Sequence, residues 1–261
     1  MKKDNKLIFI FILILLFTSD LQALTFEYNK KEEVKINIGR SEDSNLARIY
    51  ECIYYRILKS DEFNVIFNYR PTKRSISEVS YGIADIDAGR ISRIDKSKYS
   101  DTTIRVKESI YKDRFSLFSK SKINIPVDGW DAIDYLIKEL NITPIFIRGN
   151  ITVKVNTSEE TYAKIFPSND FTHAINNLNK GDSRNRTVLI SSASQVDYWL
   201  KKLNIENIIE IKNLGEHTLY PIVSNNKKHL ERYINNGLVK MKSQGEYDKI
   251  LSLVNKGLPC K

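Results

Sequence analysis

The sequence predicts two α/β lobes that face each other across a cleft, and three observations predict it. Strand and helix patterns follow one another as βαβαβ between residues 34 and 88, the same alternation restarts after Pro126, and two extended stretches, 108–119 and 219–224, flank the second set. Such alternation implies parallel strands, covering helices and right-handed crossovers. Two extended stretches imply that the chain leaves the first lobe near Glu108 and returns near Tyr220. The expected architecture is therefore α/β with two mostly parallel sheets and a central cleft. Lobe one comprises residues 24–110 and 220–261, and lobe two residues 111–219. One continuous doubly wound sheet is the alternative that the pattern leaves open.

Residues 34–38 alternate Val, Ile and Ile in a short strand that Gly39 ends. From Ser44 the period becomes helical: Leu46, Ile49, Tyr50, Ile53 and Ile57 share a face, and Asp43 or Ser44 can cap it. Residues 63–69 form a second strand closed by Arg70 and Pro71, 72–80 a short helix, and 83–88, after Gly82, a third strand. A strand over 102–106 precedes the extended 108–119, which carries Phe115, Leu117 and Phe118. In the second set Asp128 is the expected cap of a helix whose apolar face is Trp130, Ile133, Leu136, Ile137 and Leu140. A strand over 145–147 runs into the turn Arg148-Gly149-Asn150. Then come a strand over 162–166, a helix over 170–178 and a strand over 187–190. The next helix has Val196, Trp199, Leu200 and Leu203 at i, i+3, i+4, i+7, and a strand over 208–211 closes the set. The remainder is helical: Leu230, Ile234, Leu238 and Met241 on one face, then 247–254.

The first 23 residues read differently. Lys2, Lys3 and Lys6 precede an unbroken apolar run of eleven, Leu7 to Phe17, and small and polar residues follow up to Ala23. Eleven residues rise about 16 Å as a helix, short of a hydrocarbon core of roughly 30 Å. Residues 1–23 are thus expected to be a signal peptide cleaved near Ala23, an uncleaved signal anchor being the other reading. The chain has 261 residues, 41% apolar and 28% charged, with two cysteines. That excludes a disulfide-stapled miniprotein, a collagen and a wholly disordered chain. The formal charge of +9 favours anionic partners, but acids and bases are interleaved and export is expected, so no nucleic acid is expected. Cys52 and Cys260 have neither a CxxC spacing nor a neighbouring histidine; after export they pair or remain two thiols. There is no G-x-S-x-G, no H-E-x-x-H and no Gly-rich phosphate loop, and His173, His217 and His229 are not at ligand spacing. No catalytic residue, metal or cofactor is expected.

Several local pieces also carry a likeness. They are Pro71-Thr72-Lys73-Arg74 before a helix, Gly82 to Arg90 at the third strand, Gly129-Trp130-Asp131 and Arg148-Gly149-Asn150 opening helices, Leu219 to Ser224, and Met241 to Tyr247. In this order the chain resembles the bacterial periplasmic solute-binding proteins of family 3, the receptors of amino-acid ABC importers, over residues 34–254. The resemblance implies a type II periplasmic-binding-protein fold and a monomeric receptor in the periplasm. It implies a small anionic or zwitterionic ligand, amino-acid-like or a carboxylate, and an inner-membrane ABC permease or a sensor as partner. Members usually hold the α-amino group on an acid in lobe two. The matching stretch here, 181–186, displaces or lacks that acid, which argues against an α-amino acid. A few proteins of this fold are dehydratase-like enzymes that use cleft carboxylates, a part Glu108 or Asp87 would play.

Arg90, read as following the third strand, is the first candidate ligand-binding residue, because a guanidinium offers a planar two-pronged donor to carboxylate or phosphate. A structural ion pair with Asp85 or Asp87 is its alternative. Arg148, with the backbone N–H groups of Gly149, Asn150 and Ile151, forms a second anion seat at a helix N-terminus, ordinary capping by Asn150 being the alternative. Arg40 and Ser41 line the same rim or a surface turn. Glu108, near the crossing, receives a cationic group or salt-bridges the neighbours of Lys107. Tyr28, Tyr69, Tyr81 and Tyr111 wall the cleft or pack elsewhere.

Overall fold

The computed structural model describes residues 31–260 except 41, 43, 60, 61, 149 and 181–185. Residues 1–23, expected as a signal peptide, and Tyr28, Ser41, Gly149 and most of the 181–186 stretch lie outside the described residues.

Lobe one is built on β1 (Glu32–Ile38), which pairs in parallel with β2 (Phe63–Tyr69) and β3 (Ile86–Ile91). Its crossovers are α1 (Asn45–Leu58) and α2 (Thr72–Ser80). The Ser44 side chain caps α1 by accepting the Ala47 N–H, and Leu46, Ile49, Tyr50 and Ile53 are buried on one face. Strand β3 begins later than expected. The N–H groups of Ile83 and Ala84 both bond the Glu78 carbonyl, so they still close the end of α2 and are not free for a ladder. As a result Arg90 lies inside β3 opposite Tyr220, not after the strand, next to a register break that starts at Asp87.

Lobe two places β6 (Ile145–Ile147) in parallel between β7 (Phe166–Ser168) and β8 (Leu189–Ser192). Its helices are α3 (Asp131–Lys138), α4 (Ile151–Asn156), α5 (Glu159–Lys164), α6 (Phe171–Lys180) and α7 (Ala193–Lys202). The strand expected over 162–166 is mostly α5. Ser158 caps that helix through the Thr161 N–H, and Glu159 and Glu160 sit in the first turn, where the dipole favours acids. Asp128 caps nothing; its exposed carboxylate pairs with Lys212 at 2.6 Å.

The two crossings are themselves strands. β5 (Tyr111–Ser119) runs antiparallel to β9 (Ile209–Ser224) from Tyr111 opposite Leu219 to Ser119 opposite Ile209. The segments expected as separate strands over 208–211 and 219–224 belong to this one element of 16 residues. β9 also pairs antiparallel with β3 and with β4 (Thr103–Arg105), and β5 does so with β8. The sheets expected as two are therefore joined in one nine-stranded path, β2-β1-β3-β9-β5-β8-β6-β7, with β4 on β9. Pairing is parallel within β2-β1-β3 and within β8-β6-β7, and antiparallel wherever β9 or β5 takes part.

The cores stay separate. Val34, Ile36, Ile53, Ile86 and Val223 pack with Leu230, Ile234 and Leu238 of α8 (His229–Ser243) and Val254 of α9 (Glu246–Asn255). Lobe two holds two clusters on opposite sheet faces, since neighbours along a strand divide between them: Leu117, Phe146 and Ile190 in one, Phe118, Ile145 and Leu189 in the other. Cys52 and Cys260 are joined as a disulfide with Cα atoms 5.9 Å apart, which ties the chain end to α1. Among the described residues no helix is long and apolar enough to cross a membrane.

Candidate functional site

A cleft of about 270 Å³ opens where the carboxyl ends of β1, β3 and β6 face one another, the position at which open α/β sheets take ligands. Lobe one contributes Gly39, Arg40, Tyr50, Lys73, Gly89 and Arg90; the crossing strands contribute Asp113, Phe115 and His217; lobe two contributes Arg148, Asn150, Thr152 and Gln195. Among the described residues no group of three His, Cys, Asp or Glu could hold a metal ion.

Arg90 reaches the cleft, but in the ion pair. Its Nε donates to Asp87 Oδ1 at 2.9 Å, and its Nη2 donates to Asp87 Oδ2 at 2.5 Å and to the Thr72 carbonyl at 2.6 Å. Asp87 also accepts the Ser75 hydroxyl at 2.6 Å. The Nε–Nη2 edge of the guanidinium is thereby fixed. Arg40 follows β1, with Nη2 4.0 Å from Asp113 Oδ2. That same carboxylate oxygen accepts the Ser194 hydroxyl of α7 at 2.9 Å, so Asp113, on a crossing strand, is shared between side chains of both lobes.

Arg148 is exposed at the lobe-two wall, beside Asn150. Asn150 Oδ1 accepts the Thr152 N–H at 3.0 Å, the capping alternative. Glu108 is not in the cleft. Its carboxylate pairs with Lys242 of α8 at 2.5 Å and its N–H donates to Asn235 at 3.0 Å, because α8 folds back along the segment that precedes β5. Nor do Tyr69, Tyr81 or Tyr111 line the cleft. Tyr69 donates to Glu51, Tyr81 is exposed, and Tyr111 packs on the lobe-one core.

Sequence reasoning missed Tyr50, Asp113 and Lys73. Tyr50 shares its helix face with Ile49 and Ile53 and so looks like core. Its hydroxyl is buried without a hydrogen-bond partner. Burial raises its pKa well above the ordinary tyrosine value, with Arg40 and Arg90 pulling down against Asp113 and Asp87, so it is a neutral donor. Gly89 makes room for it: a Cβ there would lie 2.3 Å from the hydroxyl oxygen.

No protein-family model matches the chain, and no curated protein sequence does. Solved structures do. A histidine kinase sensor domain with similarity to periplasmic binding proteins aligns at TM-score 0.66 and 11% identity, over 86% of this chain and 96% of that one. ArgBP from T. maritima aligns at TM-score 0.63 and 11% identity, over 86% and 95%. The probable amino-acid ABC transporter extracellular-binding protein ytmK from Bacillus subtilis aligns at TM-score 0.60 and 15% identity, over 86% and 97%. At such identities it is the fold that is shared: the chain has the two-lobe α/β architecture of periplasmic binding proteins, as its sequence pattern implied.

Proposed function

We propose that this chain is an exported receptor that closes around a small anionic or zwitterionic solute and, in its shut form, presents a surface to an ABC permease or a membrane sensor. The observation that carries the reading is the cleft lining, which draws Arg40 and Arg90 from one core-bearing lobe and Arg148 from the other. A ligand that touches both lobes favours the shut form by its differential affinity, whereas one that touches a single lobe shifts nothing. The solved structures that share the fold are described as binding proteins and a sensor domain, which supports binding over turnover. Both carboxylates considered as general acids, Glu108 and Asp87, are held in ion pairs, which supports it further.

The test is thermal unfolding of the chain against amino acids, dicarboxylates and phosphorylated solutes. A true ligand stabilises as RT ln(1 + [L]/Kd), about 2.7 kcal/mol at a hundredfold excess over Kd. Turnover of a bound candidate would favour an enzyme, and a Tm that no solute moves would refute the receptor.

A further inference from the structure

Resting on that reading, we propose that the solute is a small dianion. One of its oxyanion groups sits on the cleft floor against Tyr50 and Arg40, and the other is clamped at the mouth between Lys73 and Arg148.

The charge balance of the cleft comes first. Arg40, Lys73, Arg90 and Arg148 line it, against Asp113 in the wall and Asp87 behind Arg90. Four cations and two acids leave an excess of two positive charges. A net-neutral zwitterion leaves that excess unmet; a dianion cancels it. Asp113, the carboxylate that would take an ammonium group, already accepts Ser194 and faces Arg40.

The placement of the excess comes second. Arg90 and Asp87 neutralise each other, and the Arg40 to Asp113 separation of 4.0 Å is longer than a hydrogen bond. Lys73 opens α2 in lobe one and Arg148 follows β6 in lobe two; both are exposed, and neither has an ion-pair partner among the described residues. These like charges line one cleft, one from each lobe. An anion that meets both is a link across the mouth.

The third observation is independent of charge. Tyr50 is 2% exposed, lines the cleft, and its hydroxyl has no partner. A buried donor left unmade is costly, and a carboxylate or phosphate oxygen on the floor satisfies it. The cleft volume of about 270 Å³ falls below the range of drug-sized pockets, which suits a solute of a few carbons.

The experiment is calorimetric titration and thermal unfolding of the chain at neutral pH with succinate, glycerol 3-phosphate, L-alanine and L-glutamine. A phosphate monoester is close to doubly charged there, its second pKa being about 6. We expect succinate or glycerol 3-phosphate to raise Tm, with an affinity that falls as salt is added, and neither neutral amino acid to do so. Which of the two dianions binds tells a dicarboxylate from a phosphate ester. For the dianion that binds, Tyr50→Phe and Arg148→Gln should each weaken affinity by about tenfold or more. Tyr50→Phe keeps the packing and loses only an unpaired hydroxyl, so it should not lower the Tm of the unliganded chain. Stabilisation by L-alanine or L-glutamine with none from either dianion overturns the dianion and leaves the receptor standing. Stabilisation by none of the four overturns the dianion and counts against the receptor as well. Unchanged affinity in Tyr50→Phe overturns the floor assignment.

Discussion

Replacing Arg90 is expected to destabilise lobe one before it reports on any ligand. The Arg90 side chain is 12% exposed and that of Asp87 1%, and two short bonds join them in a fork. Arg90→Ala leaves the Asp87 carboxylate with only the Ser75 hydroxyl and the Gly89 N–H in a site almost closed to water. Removing one partner of a buried pair costs about 3–5 kcal/mol. The residual exposure of Arg90 places the loss at the lower end, about 3 kcal/mol, or about 6–12 °C in Tm for a chain of this size. Asp87→Ala strands the guanidinium instead and should cost a similar amount. The double replacement removes both charges, so its cost should fall short of the sum by about 2 kcal/mol or more. Urea unfolding of the four proteins without ligand measures this, on the transition that carries lobe one. Arg90→Lys should be intermediate, because an ammonium keeps the charge and loses the fork. Single losses below about 1 kcal/mol, or additivity within about 0.5 kcal/mol, would refute the coupling.

Gly89→Ala drives a Cβ to 2.3 Å from the Tyr50 hydroxyl and 2.8 Å from its Cζ. It should cost about 1–3 kcal/mol, and much less in a Tyr50→Leu background, where the ring is gone; equal Tm losses in the two backgrounds would contradict this. Replacing both Cys52 and Cys260 with Ser releases a loop spanning 208 positions, so the urea midpoint should fall, with about 5 kcal/mol as the loop-entropy ceiling. The measured loss should be smaller, since Arg48 still donates to the Leu258 carbonyl; an unmoved midpoint would show that the bridge constrains nothing. Glu78 is partly desolvated, which raises its pKa, yet hydrogen bonds from Arg74 and Asn37 and the charge of Arg70 hold it below the ordinary 4.5. Its stabilisation is complete above that value and is lost as pH falls through the lower folded-state pKa. Glu78→Gln should therefore lower stability at neutral pH and flatten the acid limb below pH 4.5; an unchanged limb in a pH series of unfolding curves would reject it.

Where one face of an element is buried against one core, its period was readable. Residues 34–38, α1, β2, α2 and α8 lie where the apolar spacing put them, because Ile36, Ile53 and Ile234 have nowhere to go but the lobe-one interior. Between the cores that signal vanishes. Residues 212–218 of β9 span the joint as Lys-Asn-Leu-Gly-Glu-His-Thr with little to bury, so nothing announced a single long strand. Around 162–166 the apolar Tyr162, Ile165 and Phe166 suggested a strand, but the Ser158 cap and the acids that follow it start a helix there. The cleft divides in the same way. Arg40, Arg90 and Arg148, expected at the ends of strands, line the cleft, whereas Glu108, singled out for its place near the crossing, does not, because α8 returns from far along the chain to claim the carboxylate. Tyr50 and Asp113 could not be found this way, since a tyrosine between isoleucines reads as core and an acid within a crossing strand reads as surface. What sets them apart is a mismatch with local rules: a buried hydroxyl with no partner, a glycine kept free of a side chain beside it, and a carboxylate shared by side chains from both lobes. Sequences break such rules mainly where function requires it. That three breaks converge on one cleft is a stronger pointer to the binding floor than any of its arginines taken singly.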